Sequence, residues 1–312
     1  MFDLVRRIAR LAGAFSIGLG AVGCASAATT DIAPVPQLAE APPSGAVPGP
    51  ALWQVSDADT TIYLFGTIHF LPDDVEWFDQ RIEAAFTSSS EFVTEIALDA
   101  DQSITAQAVA STALLADGQT LRDLMSEQDR EEYDEALVSL GMPVETLDMY
   151  EPWFAAVNLE LIPLMQAGYD PSSGVEMVLN QRAAEKDKQA LETIEQQLGF
   201  FDSLPMETQI AYLDGVVESI PTMSASMDSL LDAWTKGNEG AIGDLMSEGM
   251  QDPRLHEALL TARNARWAQW IEQRMTQPGD VFIAVGAGHL AGQGSVQQLL
   301  AERGVQVTRV WQ

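Results

Sequence analysis

Two histidines follow the same local pattern, three residues after a glycine and just beyond an apolar run. His69 closes residues 66–69 and His289 closes residues 286–289, and the chain contains only three His. Neutral imidazole is a common ligand of divalent metals in proteins. We interpret the pair as two halves of one metal site that the fold brings together.

The glycine in each pattern lets the chain turn sharply or approach a ligand closely, because no Cβ stands in the way. For one isolated Gly-x-x-His, a core histidine bonded to a main-chain carbonyl is the simpler explanation. Two copies, each at the end of an apolar run, favour the metal site instead.

Glu95 is the next candidate, as a metal ligand or as a catalytic base. It lies between Thr94 and Ile96 within an apolar run. Carboxylates are rarely buried unless they are paired. On a central strand Glu95 would need a cation, and a metal ion would serve. On an edge strand it would simply face water.

Arg263 and Asn264 lie on a predicted helix over residues 254–276, whose apolar residues recur at helical spacing. Both polar side chains fall on the apolar side and are expected to point into the interior. A buried arginine needs a carboxylate or a bound anion. Three interpretations of that partner stay open: a substrate carboxylate, a transition-state oxyanion and a carboxylate in a structural ion pair. Arg263 and Asn264 are both candidate catalytic groups.

Two further glutamates have competing explanations. Glu192 follows a predicted short strand over residues 188–191 and can face the same site as a fourth metal ligand. Glu176 lies three residues after Ser173, the spacing of a helix capping box, which accounts for it without catalysis. The third histidine, His256, is expected at the surface of a helix.

The elements that must position these residues predict an α/β fold. Apolar runs at 52–55 and 61–65 flank a polar turn and predict an antiparallel hairpin. A run at 281–285, a helix and a run at 305–310 resemble a parallel crossover. The chain is therefore predicted to be a single α/β domain. Its central mixed sheet is formed by N- and C-terminal strands, with a large, mostly helical insert.

This order of elements predicts where the candidate residues meet. A strand over residues 91–96 carries Glu95, and a helix is predicted from about 75 to 86. Ligands of open α/β sheets bind beyond the carboxyl ends of the strands. Both histidines follow the carboxyl ends of predicted strands, so we expect them to share one edge of the sheet.

The charge balance argues against one class of partner. The 312 residues hold 16 Lys and Arg against 46 Asp and Glu, a formal net charge of −30. Nucleic-acid phosphates would be repelled, so no nucleic-acid partner is expected. A single Cys excludes a disulfide within the chain and a cysteine-based zinc cluster.

Three regions follow one another along the chain. Basic residues, an apolar stretch and a small-residue zone predict a signal peptide over residues 1–27. Residues 28–50 are rich in Ala and Pro and predict a disordered linker. Residues 51–312 form the predicted folded domain.

Two processing sites compete at the end of the signal. Residues 21–24 resemble a lipobox, which would lipidate Cys24, whereas residues 25–27 resemble a signal-peptidase site that would discard it. The protein is expected to be exported, and either periplasmic or lipid-anchored. A lipid on Cys24 is its only predicted contact with a membrane.

Taken together, these motifs resemble the TraB/GumN family, which includes the Tiki metalloproteases. The matching stretches lie in order within residues 51–312, at 66–69, 92–95, 174–176, 191–196, 263–267 and 286–292. The resemblance implies a fold shared with erythromycin esterases and a haem-binding lipoprotein. It also implies a metal-dependent, peptidase-like activity carried by His69, His289 and Glu95.

The predicted function is an exported metal-dependent hydrolase acting on a peptide or a small molecule. His69, His289, Glu95 and Glu192 would hold a divalent ion, and such ligands suit Mn, Co, Fe or Zn. The ion would activate a water, a carboxylate would act as base, and Arg263 or Asn264 would stabilise the oxyanion. The alternative is a non-catalytic protein that binds haem, metal or a peptide in the same cleft. A role in polysaccharide export is suggested only by the GumN name.

Overall fold

The computed structural model describes residues 49–99 and 101–311. The predicted signal peptide, Cys24 and all but the last two residues of the predicted linker lie outside the described residues. Pro50 is buried, and its carbonyl oxygen accepts a hydrogen bond from Arg81 Nη2 at 3.2 Å. Within the described ranges, no helix is long and apolar enough to cross a membrane.

Within these residues, six strands form one sheet and helices occupy most of the connections. The strands are β1 (Leu52–Ser56), β2 (Thr60–Thr67), β3 (Glu91–Thr94), β4 (Asp187–Ala190), β5 (Gly279–Gly286) and β6 (Val307–Arg309). The helices are α1 (Gln80–Ser88), α2 (Gln102–Thr112), α3 (Glu127–Ser139), α4 (Pro152–Gln166), α5 (Val175–Arg182), α6 (Ile194–Asp202), α7 (Met206–Ser219), α8 (Met223–Thr235), α9 (Glu239–Gly249), α10 (Pro253–His256), α11 (Ala262–Arg274) and α12 (Val296–Glu302). A π-helical turn, Glu257–Thr261, joins α10 to α11, and 3-10 turns lie at Leu121–Leu124, Pro171–Ser173 and Ala287–Leu290.

The strand order is β4-β3-β5-β2-β1-β6, which confirms a mixed sheet with N- and C-terminal strands at its centre, while β4 comes from the middle of the chain. β4, β3, β5 and β2 are parallel to one another, with β2 and β5 in register from Thr60 opposite Gly279 to Thr67 opposite Gly286. β1 runs antiparallel to β2, which confirms the predicted hairpin. The four parallel strands all end at the same edge of the sheet.

The C-terminal crossover spans more of the sheet than the sequence indicated. β6 pairs with β1 in antiparallel orientation, and β1 is in turn antiparallel to β2. β6 therefore runs in the same direction as β5, as a parallel crossover requires. The two strands are not neighbours, however, because the N-terminal hairpin lies between them.

The sheet separates two apolar layers, and alternation along β5 supplies both. Phe282 and Ala284 pack against the helical insert. Ile283 faces the opposite layer, with Trp267 of α11 and Leu300 of α12. The sheet is thus covered on both faces, and its carboxyl edge is left to carry polar groups.

Three predicted boundaries differ from the structure. The helix predicted from about 75 begins at Gln80, because the carboxylate of Asp79 caps it by accepting bonds from Arg81 N at 2.8 Å and Ile82 N at 3.1 Å. The strand predicted over 91–96 ends at Thr94, so the following glutamate lies just beyond the strand. The helix predicted over 254–276 is interrupted by the π-helical turn.

Candidate functional site

The four predicted metal ligands all lie just beyond the carboxyl ends of adjacent parallel strands. Glu192 follows β4, Glu95 follows β3, His289 follows β5 and His69 follows β2. The main chain joins the first two directly, since Glu192 N donates to Glu95 O at 2.8 Å. The parallel pairing thus brings both histidines to one sheet edge, although they lie far apart in the chain.

A buried arginine joins the two glutamates. The Nε atom of Arg263 lies 3.1 Å from both carboxylate oxygens of Glu192. Its Nη2 atom lies 2.8 Å from Glu192 Oε2 and 2.5 Å from Glu95 Oε2. Arg263 is 1% exposed, so the inward orientation expected from the helical pattern is observed. Its partners are two carboxylates of the protein itself.

The start of α11 fixes the position of this guanidinium. Arg263 Nη1 donates to the carbonyl oxygen of Leu259, within the π-helical turn, at 3.2 Å. The guanidinium carbon also lies 4.8 Å from the centre of the Trp267 ring, a cation–π contact. Burial lowers the pKa of Arg263, but the charges of Glu95 and Glu192 outweigh it and leave the pKa raised. The group is a permanent cation.

His289 is held as a neutral imidazole. Its Nε2 lies 3.2 Å from Arg263 Nη1, and its Nδ1 lies 2.5 Å from Asn264 Oδ1. Because a guanidinium can only donate, Nε2 accepts, and the ring proton lies on Nδ1 and is donated to Asn264. Burial and the neighbouring Arg263 lower the pKa of His289 to about 3. Both ring nitrogens are therefore engaged.

Asn264 holds His289 in place. Its Nδ2 donates to the carbonyl oxygen of Gly294 at 2.9 Å, which fixes the orientation of the amide. The amide oxygen is then directed to the His289 ring. Asn264 is buried, as the helical pattern predicted. The catalytic role predicted for it stays a prediction, and its observed contacts are with His289 and the loop that follows β5.

Glu95 connects this arginine cluster to the other histidine. Its Oε1 accepts a bond from Gly286 N at 2.7 Å, and its Oε2 accepts from Gln197 Nε2 at 3.0 Å as well as from Arg263. His289 Nε2 lies 3.9 Å from Glu95 Oε1. The Glu95 carboxylate also raises the pKa of His69. Glu95 therefore lies near both imidazoles.

His69 has a different environment from His289. Its Nδ1 lies 2.6 Å from Glu176 Oε1, and the hydroxyl of Thr67 donates to the same oxygen. Its Nε2 is buried and has no hydrogen-bond partner among the described residues. Burial lowers the pKa of His69, but Glu176 and Glu95 outweigh it and leave the pKa raised. The Nδ1 atom of this imidazole is therefore paired with Glu176, and we call Nε2, which has no partner among the described residues, the open nitrogen.

The partner of His69 corrects the interpretation of Glu176. The N-cap of α5 is Gly174, which makes no side-chain capping bond, and the Ser173 hydroxyl binds Asp73 instead, so the predicted capping box is absent. A Cβ on Gly174 would overlap the carbonyl oxygen of His69. Glycine at this position therefore lets α5 begin directly against the residue that follows β2, and Glu176 reaches the imidazole.

A small cavity is lined in part by the His69 side chain. Its volume is about 20 Å³, which is room for about one water molecule. Its walls combine three ionisable side chains, two uncharged polar ones and three apolar ones: His69, Glu95, Glu176, Thr94, Gln197, Ile96, Leu98 and Met177. A water held here would lie among the side chains of His69, Glu95 and Glu176.

The family resemblance implies a divalent metal, and the four predicted ligands do not surround a position that fits one. Glu95, Glu192 and the Nε2 atom of His289 all face the guanidinium of Arg263. Within the part of the chain that the structure describes, no group of three or more His, Cys, Asp or Glu could hold a metal ion. The predicted ion has no ligand set in this arrangement, and elemental analysis is its test.

Sequence reasoning gave Gln197 and Trp267 no role at the site, and it favoured a capping box for Glu176 over a place at the site. Trp267 donates its Nε1 to Glu192 Oε1 at 3.1 Å, and its ring centre lies 4.3 Å from that of His289. The available signal was the stretch at residues 191–196, because Gln197 directly follows it and lies in the helix that the capping box of Thr193 and Gln196 begins. His256, predicted at the surface, is half-buried and bonds Thr261.

Comparison with known proteins gives distant relatives. An uncharacterized protein of Treponema pallidum (strain Nichols) is 23% identical over 266 residues, which covers 80% of this chain and 80% of the relative. The uncharacterized protein YbaP of Escherichia coli (strain K12) is 22% identical over 244 residues, or 76% of this chain and 87% of YbaP. No solved structure gives a significant match. The sequence model of the TraB/PrgY/gumN family matches residues 51–309, and the chain therefore belongs to that family.

Proposed function

We propose that the protein is a hydrolase that uses the His69–Glu176 pair to activate a water for attack on an ester or amide carbonyl. One observation carries this proposal. The Nδ1 atom of His69 is bound to Glu176 at 2.6 Å, Nε2 is buried without a hydrogen-bond partner among the described residues, and His69 lines a water-sized cavity. An imidazole oriented by a carboxylate, with its other nitrogen open, is the arrangement of a general base.

The proton transfers balance within this pair. His69 Nε2 takes a proton from the water as the water oxygen bonds to the carbonyl carbon. The negative charge of Glu176 stabilises the imidazolium that forms. The imidazolium then gives the proton to the leaving alcohol or amine as the tetrahedral intermediate collapses. The products are a carboxylic acid and an alcohol or amine.

Glu95 also lines the cavity and supports the same base. Its carboxylate raises the pKa of His69 and so increases its proton affinity. It is itself held by Gly286 N, Gln197 and Arg263. These bonds favour its ionised form, so Glu95 contributes a fixed negative charge beside the cavity.

The cavity has room for the attacking water and not for a substrate acyl group. Leu98 and Met177 give its walls an apolar part beside His69. The formal net charge of −30 disfavours anionic substrates. The likeness to peptidases and esterases noted from the motifs supports an ester or amide as the scissile bond. Export, as predicted from the N-terminal residues, would place such a substrate outside the cytoplasm.

The binding alternative receives less support from this geometry. A haem needs far more room than the cavity of about 20 Å³ beside His69. The other candidate axial ligand, His289, has both ring nitrogens engaged by Arg263 and Asn264. Metal-dependent hydrolysis, in contrast, stays a prediction from the sequence that metal analysis can test.

Variants of the pair test the proposal. The probes are p-nitrophenyl acetate, as a small ester, and a fluorogenic peptide library. His69→Ala is expected to lower the hydrolysis rate about 10²–10⁴-fold, the range for removal of a general base. His256→Ala is the matched control, because that histidine lies outside the cavity and should leave the rate unchanged. A His69→Ala protein that folds and keeps the wild-type rate would overturn the assignment.

A further inference from the structure

We propose that the guanidinium of Arg263 takes the position of a divalent ion at this sheet edge and keeps the site of this chain free of bound metal. The inference goes beyond the proposed function, since it concerns metal binding in the absence of any substrate. It follows from what surrounds Arg263, from the state of His289 and from the lack of room for the arginine to leave.

Arg263 already supplies what the two carboxylates need. Glu192 accepts hydrogen bonds from the Nε and Nη2 atoms of Arg263, and Glu95 accepts one from Nη2. Two buried carboxylates this close require a cation between them. A guanidinium provides the positive charge and directs several N–H groups at once, as a metal ion would direct several coordination positions.

The third group of the predicted ligand set is also engaged by the same cation. His289 would have to offer a ring nitrogen lone pair to a metal, and the lone pair on Nε2 accepts from Arg263 Nη1 at 3.2 Å. The other nitrogen carries the proton donated to Asn264. A metal at this point would therefore displace the hydrogen bond and face a fixed positive charge.

Arg263 has no path out of the cluster as the structure packs it. Its side chain is 1% exposed, its Nη1 is tied to Leu259 O, and its guanidinium lies 4.8 Å from the centre of the Trp267 ring. The next arginine on the same helix is far more exposed. Arg266 has a 49% exposed side chain and approaches Glu192 Oε1 only at 3.4 Å.

This arrangement has a consequence that can be measured. Removing the guanidinium would leave Glu95, Glu192 and His289 around an open position. Two carboxylates and an imidazole are the ligand count and ligand types of catalytic zinc sites. The Arg263→Ala substitution is therefore expected to create a metal site that the natural chain lacks.

The experiment compares wild type, Arg263→Ala and the control Arg266→Ala. Metal-free protein is titrated with Zn²⁺ and with Mn²⁺ by calorimetry, and the thermal midpoint is measured with and without each ion. Wild type and Arg266→Ala should bind neither ion stoichiometrically and keep their midpoints. Arg263→Ala should bind about one ion per chain and show a higher midpoint with the ion.

Two results would overturn the inference. One is stoichiometric binding of Zn²⁺ or Mn²⁺ by wild type, and the other is an Arg263→Ala protein that folds and binds neither ion. If Arg263→Ala does not fold in metal-free buffer, recovery of its structure on addition of Zn²⁺ supports the inference, and no recovery counts against it. None of these readouts uses hydrolysis, so failure of the proposed activity and failure of this inference are distinguishable.

Discussion

Arg263 and His289 are joined by a hydrogen bond of 3.2 Å from a guanidinium nitrogen to the imidazole Nε2. The bond gives different roles to two histidines that occur in the same sequence pattern. Both ring nitrogens of His289 are engaged, whereas the Nε2 of His69 has no hydrogen-bond partner among the described residues and its side chain lines a small cavity. The active imidazole of the proposed hydrolase is therefore His69, and His289 serves to hold the arginine.

The buried ion pairs predict that two neighbouring arginines contribute very differently to the free energy of unfolding. Arg263→Ala leaves Glu95 and Glu192 buried without their main cation and should cost about 3–5 kcal/mol of unfolding free energy. Arg266→Ala removes a half-exposed contact with Glu192 and should cost about 0–1 kcal/mol. Urea denaturation at neutral pH measures both. Equal losses would show that Arg263 is not the central cation of the cluster.

The Glu176 carboxylate predicts a shift in the pH dependence of hydrolysis. Burial lowers the pKa of His69, and Glu176 is the main group that raises it above its ordinary value of 6.5. A base works in its neutral form, so the rate should rise with pH through the raised pKa. Glu176→Gln removes the charge, so the rising limb should move to lower pH and the maximal rate should fall. An unchanged pH profile of kcat/KM would separate Glu176 from the reaction.

The close packing at Gly174 gives a further test of the His69–Glu176 pair. A side chain there would overlap the His69 carbonyl oxygen, so Gly174→Ala should push α5 and Glu176 away from His69. The expected cost is about 1–3 kcal/mol, the range for overpacking, with a loss of hydrolysis rate. Gly199→Ala is the control, because its Cβ would meet open space within α6. Equal effects of the two substitutions would contradict the close-approach argument.

A buried carboxylic acid in the helical insert predicts a separate pH effect on stability. Glu160 of α4 accepts a bond from the Tyr212 hydroxyl of α7 at 3.0 Å, and burial raises the pKa of Glu160 from 4.5 to about 8. Between these values the folded state keeps a proton that the unfolded state has lost. Stability should therefore fall as the pH rises through this window, by about 1.4 kcal/mol per pH unit at most.

Glu160→Gln isolates that effect, because an amide cannot ionise. The variant should be more stable than wild type near pH 8, with a smaller difference near pH 5, as measured by urea denaturation. Glu131→Gln, at an exposed position on α3, is the control and should follow wild type at both values. Parallel pH dependences for Glu160→Gln and wild type would show that Glu160 does not titrate in this range.

Local sequence pattern was enough to bring the two histidines together. Each follows an apolar run, parallel strands end at one edge of a sheet, and the structure places both residues there. The inward direction of Arg263 and Asn264 was likewise readable from the helical spacing of the apolar residues beside them. These features depend on periodicity within one element.

The sequence pattern did not show which side chains on different helices and strands form pairs. Glu176 lies at capping-box spacing from Ser173, yet its partner is His69, because the start of α5 packs on the chain after β2. In the same way, the sequence contains many acidic residues that are candidate partners of a buried arginine. Only the parallel pairing of β3 with β4 brings Glu95 and Glu192 together around Arg263.

The measurement that tests the central claim most directly is hydrolysis of p-nitrophenyl acetate by chelator-treated protein whose metal content has been checked by elemental analysis. If His69 and Glu176 activate the water, the metal-free protein keeps the rate of the untreated protein, and His69→Ala loses it. A rate that disappears with the metal and returns on addition of Mn²⁺ or Zn²⁺ would contradict the account.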